Sequence, residues 1–127
     1  MGAAYGTSKS AIGIANLGMV EPTKIFKALI PIIMAGILGI YGLIVSVLIT
    51  GHVQGAGPQE GFKLMFAGMC CGFSALASGL AIGVAGEASL KAYACCTDVF
   101  IAMVLIMIFA EAIGLFGLIV SIIMAGS

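Results

Sequence analysis

The sequence predicts an all-α membrane protein built as a duplicated transmembrane helical hairpin. Three observations carry this. Of its 127 residues, 62% are hydrophobic and only 8% charged, with a mean hydropathy of +1.28; soluble domains carry about a quarter charged residues. Three runs are long and apolar enough to cross a bilayer, which takes roughly 20 residues. A block of residues in the first half recurs in the second.

The first run covers residues 28–50 and the second 64–86, both uncharged; the third covers 99–126 and holds one acid, Glu111. Residues 52–61, with Gly55, Gly57, Pro58 and Gly61, read as a turn-rich connector. Glu87, Lys91 and Asp98 mark a short polar loop between the second and third runs. Residues 1–14 are small and moderately apolar but carry Lys9, with too few residues before it to cross a membrane. They read as the end of a helix, and some 20–30 further apolar residues are expected ahead of Met1 to complete it.

The repeat fixes the organisation. Gly39, Gly42, Leu43, Ile44, Val45, Ser46 and Gly51 recur 75 positions later as Gly114, Gly117, Leu118, Ile119, Val120, Ser121 and Gly126. Residues 1–51 are therefore expected to form one hairpin, with a partial first helix, and residues 62–127 the second. The position equivalent to Glu111 in the first hairpin is Gly36. One carboxyl serves two hairpins.

Charge and cysteine content exclude several classes. Five lysines, no arginine and five acids balance to zero, so there is no basic footprint for nucleic acid. Cys70-Cys71 and Cys95-Cys96 are adjacent pairs whose side chains diverge by about 100° on a helix, a poor metal clamp. They are expected to be reduced structural thiols, and neither metal nor cofactor is expected. The opening residues lack a basic stretch followed by an apolar core, so no secretory signal is expected there. Lys9, Lys24, Lys27 and Lys91 fall on one side of the predicted topology and Lys63 on the other. Positive charge favours the cytosol, which puts the C-terminus on the lumenal or outer side.

Gly68, Gly72, Gly79, Gly83 and Gly86 are spaced 4, 7, 4 and 3 residues apart and share one helix face, and Gly2, Gly6 and Gly13 form a shorter stripe. Faces without side chains let helix backbones approach closely, as in an inner ring of helices in an oligomer. Leu118, by contrast, is expected to face lipid.

Glu111 is the most informative residue. A charge at mid-membrane costs at least ~2.5–3.5 kcal/mol, and no Lys, Arg or His lies within the three runs to neutralise it. The carboxyl should be neutral where it faces lipid and ionised beside a cation or a water path, which describes a proton carrier. A sodium site needs a cage of several oxygens. Short of Thr50 at the end of the first run, the runs offer the hydroxyls of Tyr41, Ser46, Ser74, Ser78 and Ser121 besides Glu111. Ser74, at the depth of Glu111, and Tyr41, slightly further out, are the expected hydrogen-bond partners of the carboxyl. One or two hydroxyls favour a proton over sodium.

Three segments carry a resemblance. Residues 1–10 (MGAAYGTSKS), 30–37 (IPIIMAGI) with 40–45 (IYGLIV), and 108–120 (IFAEAIGLFGLIV) resemble the proteolipid c-subunit family of V-type proton ATPases. The resemblance spans the chain. It implies a four-helix rotor-ring component that takes a proton onto Glu111 and carries it past an arginine of the static a-subunit, with Tyr41 near the carboxyl. Implied partners are other c-type subunits in a ring, the a-subunit of the membrane sector, the central stalk and the lipid bilayer; the implied location is a vacuolar or other acidic endomembrane. ATP hydrolysis would belong to other subunits. In this family the first helix begins well before the Gly-Ala-Ala-Tyr-Gly motif, and the 92–98 loop (AYACCTD) departs from the usual Gln and Arg. A small proton-coupled exporter and a structural pore are the competing readings. The acid in the last helix and the absence of Trp disfavour the exporter, and a pore needs no mid-membrane acid.

Overall fold

The computed structural model describes residues 1–126. Four α-helices follow one another: α1 (Gly2–Val20), α2 (Ile30–Val53), α3 (Pro58–Cys95) and α4 (Val99–Gly126). Two short 3-10 turns, Pro22–Lys24 and Lys27–Leu29, join α1 to α2. Proline marks three of these starts, near the first position of the Pro22 turn, of α2 and of α3, where its missing N–H costs nothing. The segments containing α2, α3 and α4 are each long and apolar enough to cross a membrane.

α3 is the hub, packing chiefly against α4 and α1. Its 38 residues extend about 57 Å at 1.5 Å per residue, well beyond a ~30 Å hydrocarbon core. This length corrects two boundaries. The expected loop holding Glu87 and Lys91 is helix through Cys95, leaving Asp98 in the break before α4. Glu87 and Lys91 are an i,i+4 ion pair at 3.0 Å, an arrangement that supports helix. The expected 52–61 connector shrinks to residues 54–57, where Gly55 takes φ +78°, a value glycine adopts freely.

The lysine ends meet as the charge pattern implies. Lys24 Nζ donates to the Tyr93 carbonyl at 3.1 Å and lies 4.9 Å from the Tyr93 ring centroid. Lys27 sits over Phe100, whose ring is 5.4 Å from that of Tyr93. The α1–α2 connection and the α3–α4 break therefore share one end of the bundle. Cys95 and Cys96 are exposed at that end, whereas Cys71 is buried.

The main core runs through all four helices and includes Leu17, Leu38, Ile82, Leu90, Met103 and Met107. The outward faces of α2 and α4 are apolar and open, with Leu43, Val47, Phe109 and Phe116 each over 60% exposed. Leu118 is not among them. It is 7% exposed and packs against Val45 and Cys71, correcting the expectation that it faces lipid.

Candidate functional site

Glu111 lies twelve residues into α4 and is 9% exposed. Both carboxyl oxygens are buried, and neither has a hydrogen-bond partner among the described residues. The turn around it is built for close approach. A Cβ added to Gly114 would stand 2.6 Å from Leu38 Cδ2 of α2 and 3.4 Å from Ser78 Oγ of α3. Glycine at this position lets α2 close on the turn that carries the acid, with α3 in ordinary contact on the other side.

Tyr41 reaches this site from α2. Its phenol is a polar neighbour of the carboxyl, although neither carboxyl oxygen has a partner with hydrogen-bond geometry among the described residues. Ser74 is not brought there. It packs against Gly117, where an added Cβ would overlap the Ser74 side chain. Equal depth along two helices does not place two side chains on facing sides, and Gly117 lies nearly two turns beyond Glu111. The α3 hydroxyl at the acid-bearing turn is that of Ser78, fully buried, which donates to the Ala110 carbonyl at 2.6 Å. Lower down, Ser121 of α4 donates to the Ala67 carbonyl at 2.7 Å. The remaining α2 hydroxyls, Ser46 and Thr50, bond their own helix at the Gly42 and Ser46 carbonyls. These serine hydroxyls are engaged with backbone carbonyls rather than arranged as a cage around the carboxyl.

The glycine stripe divides into three environments. Gly79, Gly83 and Gly86 meet α1 and its neighbours: a Cβ on Gly79 would overlap the Gly2 backbone, one on Gly83 would stand 3.1 Å from Tyr5 Cδ1, and one on Gly86 2.8 Å from Ser10 Oγ. Gly68 faces Ile49 of α2 at 3.6 Å from an added Cβ. Gly72 has nothing within 4 Å and lines an apolar cavity of about 460 Å³ with Met1, Gly39, Gly42, Phe73 and Leu76. One face in sequence is thus not one contact in space. The close approaches of α4 to α2 at Gly114 and to α3 at Gly117 lie outside the stripe. They recur in the repeat, but a repeat alone does not say which glycines touch a neighbour. Gly36, the counterpart of Glu111, has open space around it.

The chain matches the family described as the ATP synthase C subunit over residues 1–49 and 65–124. It is 46% identical to the second 16 kDa proteolipid c-subunit of the V-type proton ATPase of Caenorhabditis briggsae, over 100% of this chain and 81% of that protein. Identity to the corresponding 16 kDa proteolipid c-subunit of Ascaris suum is 45%, with the same coverage. For the V-type proton ATPase c'-subunit of Saccharomyces cerevisiae it is 46%, over 98% of this chain and 77% of the relative.

Proposed function

Since the chain belongs to the ATP synthase C-subunit family, among relatives that are proteolipid subunits of V-type proton ATPases, we propose that Glu111 is the group on which it carries protons. The chain is an integral membrane component of the rotor ring in a proton-translocating ATPase, a non-catalytic part of that complex. Its neighbours in the ring are other c-type subunits.

The observation that carries the glutamate assignment is a carboxyl buried in an apolar helix with neither oxygen satisfied. Ionised, such a group would be strongly disfavoured. Protonated, it crosses the lipid-facing arc of a rotating ring at little cost. Beside a cation of the static a-subunit, the ionised form becomes favourable and the proton leaves to a water path. Loading and release then follow the change of surroundings, and rotation gives them direction. Tyr41 shapes the approach to the carboxyl from α2. Engagement of Ser46, Ser78 and Ser121 with backbone supports a proton rather than sodium as the cargo.

The further assignments rest on the same reading. Residues 1–51 and 62–127 belong to two copies of one hairpin, with the helix break between the copies at residues 54–57 and residue 127 outside the described part; the two-segment family match supports this. The end bearing Lys24, Lys27 and the Cys95-Cys96 break faces the cytosol and the central stalk, because four of five lysines belong to that side. The membrane is a vacuolar or other acidic endomembrane.

A hydrophobic carbodiimide, which reacts with protonated carboxyls in apolar surroundings, tests the assignment on the intact complex. Proton uptake should be lost as adduct forms on Glu111. Loss of uptake with adducts confined to Glu21, Glu60, Glu87 or Asp98 would overturn it.

A further inference from the structure

Among the described residues, two hydroxyl bonds join α3 to α4, and they run in opposite directions. Ser78 of α3 donates to the Ala110 carbonyl of α4, and Ser121 of α4 donates to the Ala67 carbonyl of α3. Both serines are fully buried. The donor and acceptor positions are separated by 11 residues on each helix, from 67 to 78 and from 110 to 121. Eleven residues make about three turns, so the four positions lie along one seam between antiparallel helices. Sliding α4 along α3 would break both bonds together.

The two bonds differ in what they hold. Ser121 is ten residues past Glu111, whereas Ala110 immediately precedes it. In an α-helix the Ala110 carbonyl also accepts the Gly114 N–H, so Ser78 adds a second donor to the turn containing the acid. Gly114 lies beside this bond: a Cβ added there would remain in ordinary contact with Ser78 Cβ and Oγ, at 3.4 Å, but would meet Leu38 Cδ2 of α2 at 2.6 Å, so the same turn is closed on by α2. No described residue meets the Glu111 carboxyl oxygens with hydrogen-bond geometry. Tyr41 is a polar neighbour of the carboxyl, and the height of the carboxyl along α4 is set by its backbone turn.

We infer that Ser78 is a positioning residue for proton transfer, holding the Ala110–Gly114 turn against α3 so that the Glu111 carboxyl keeps one height and direction. This rests on Glu111 being the carrier. Proton transfer requires the carboxyl to meet its static partners at a defined place on each passage, and small displacements of a reacting group are costly. Ser121, making the same kind of bond away from the acid, serves the helix pair without serving the carboxyl.

The test compares Ser78→Ala, Ser121→Ala and Glu111→Gln in the assembled complex, reading ring assembly on a native gel, ATP-driven proton uptake per ATP hydrolysed, and the rate of carbodiimide labelling of Glu111. Ser78→Ala should assemble, lower proton uptake per ATP by roughly tenfold, and label Glu111 faster because the turn is no longer held in its buried seat. Ser121→Ala removes an equivalent bond and should leave the uptake ratio and labelling rate unchanged. Equal effects of the two serine variants, or failure of the Ser78→Ala ring to assemble, would make Ser78 purely structural and overturn the inference. Wild-type uptake and labelling in Ser78→Ala would also overturn it. The carrier assignment fails separately, if Glu111→Gln still transports protons.

Discussion

Gly2 of α1 and Gly79 of α3 meet backbone to backbone: a Cβ placed on Gly79 would overlap the Gly2 carbonyl oxygen, and one placed on Gly2 would overlap the Ala75 carbonyl oxygen. Within a bilayer, helices gain little from hiding apolar surface and associate through close van der Waals packing. This contact brings α1 onto α3, and it depends on two residues having no side chain.

Gly79→Leu should therefore prevent α1 from seating, at a cost of at least about 1–3 kcal/mol from overpacking. Gly51→Ala is the matched control, since a Cβ there meets nothing within 4 Å. Thermal unfolding of the detergent-solubilised protein should show a large loss for Gly79→Leu and almost none for Gly51→Ala. Equal unfolding temperatures for the two would remove the backbone contact from the account.

Lys24 ties the α1–α2 connection to the end of α3 by bonding the Tyr93 carbonyl and lying over the Tyr93 ring. Helix ends leave carbonyls without intrahelical donors, and Lys24 satisfies one near the α3 terminus. Lys24→Met should lower stability by about 1–2 kcal/mol. Lys91→Ala loses only an exposed i,i+4 pair, worth about 0.3–0.5 kcal/mol. Denaturant titration of both variants in the same detergent checks the order; a larger loss for Lys91→Ala would contradict the clamp.

Much of this architecture was legible in the sequence, because a bilayer imposes blunt rules. Apolar runs of spanning length marked α2, α3 and α4, and the lone acid within them marked Glu111. The helix ends were harder to place. Glu87 and Lys91 looked like a loop because they are polar, yet a helix leaving the membrane continues when its residues favour helix and pair at i,i+4. Leu118 looked lipid-facing because every residue around it is apolar; in such a helix, hydrophobicity does not separate lipid from core. Ser74 and Ser78 are one turn apart, and only the crossing of α3 and α4 decides which meets the acid-bearing turn. The glycine stripe showed where close contacts are permitted, not where a neighbouring helix lies.

Glu111→Asp retains an acid but shortens its reach by one methylene. Assembly should be normal and proton uptake impaired, since the carboxyl no longer meets its static partners at the same place. A pumping assay on membrane vesicles checks this. Wild-type uptake in Glu111→Asp would mean that placement of the carboxyl does not limit transport.

The central claim is that the Glu111 carboxyl itself carries the proton. Its most direct measurement is ATP-driven proton uptake by vesicles whose rings contain only Glu111→Gln, with assembly verified on a native gel. Glutamine keeps the size and polarity of the side chain but has no proton to exchange near neutral pH. The account predicts assembled rings and no proton uptake; assembled rings that acidify the vesicle interior at the wild-type rate would contradict it.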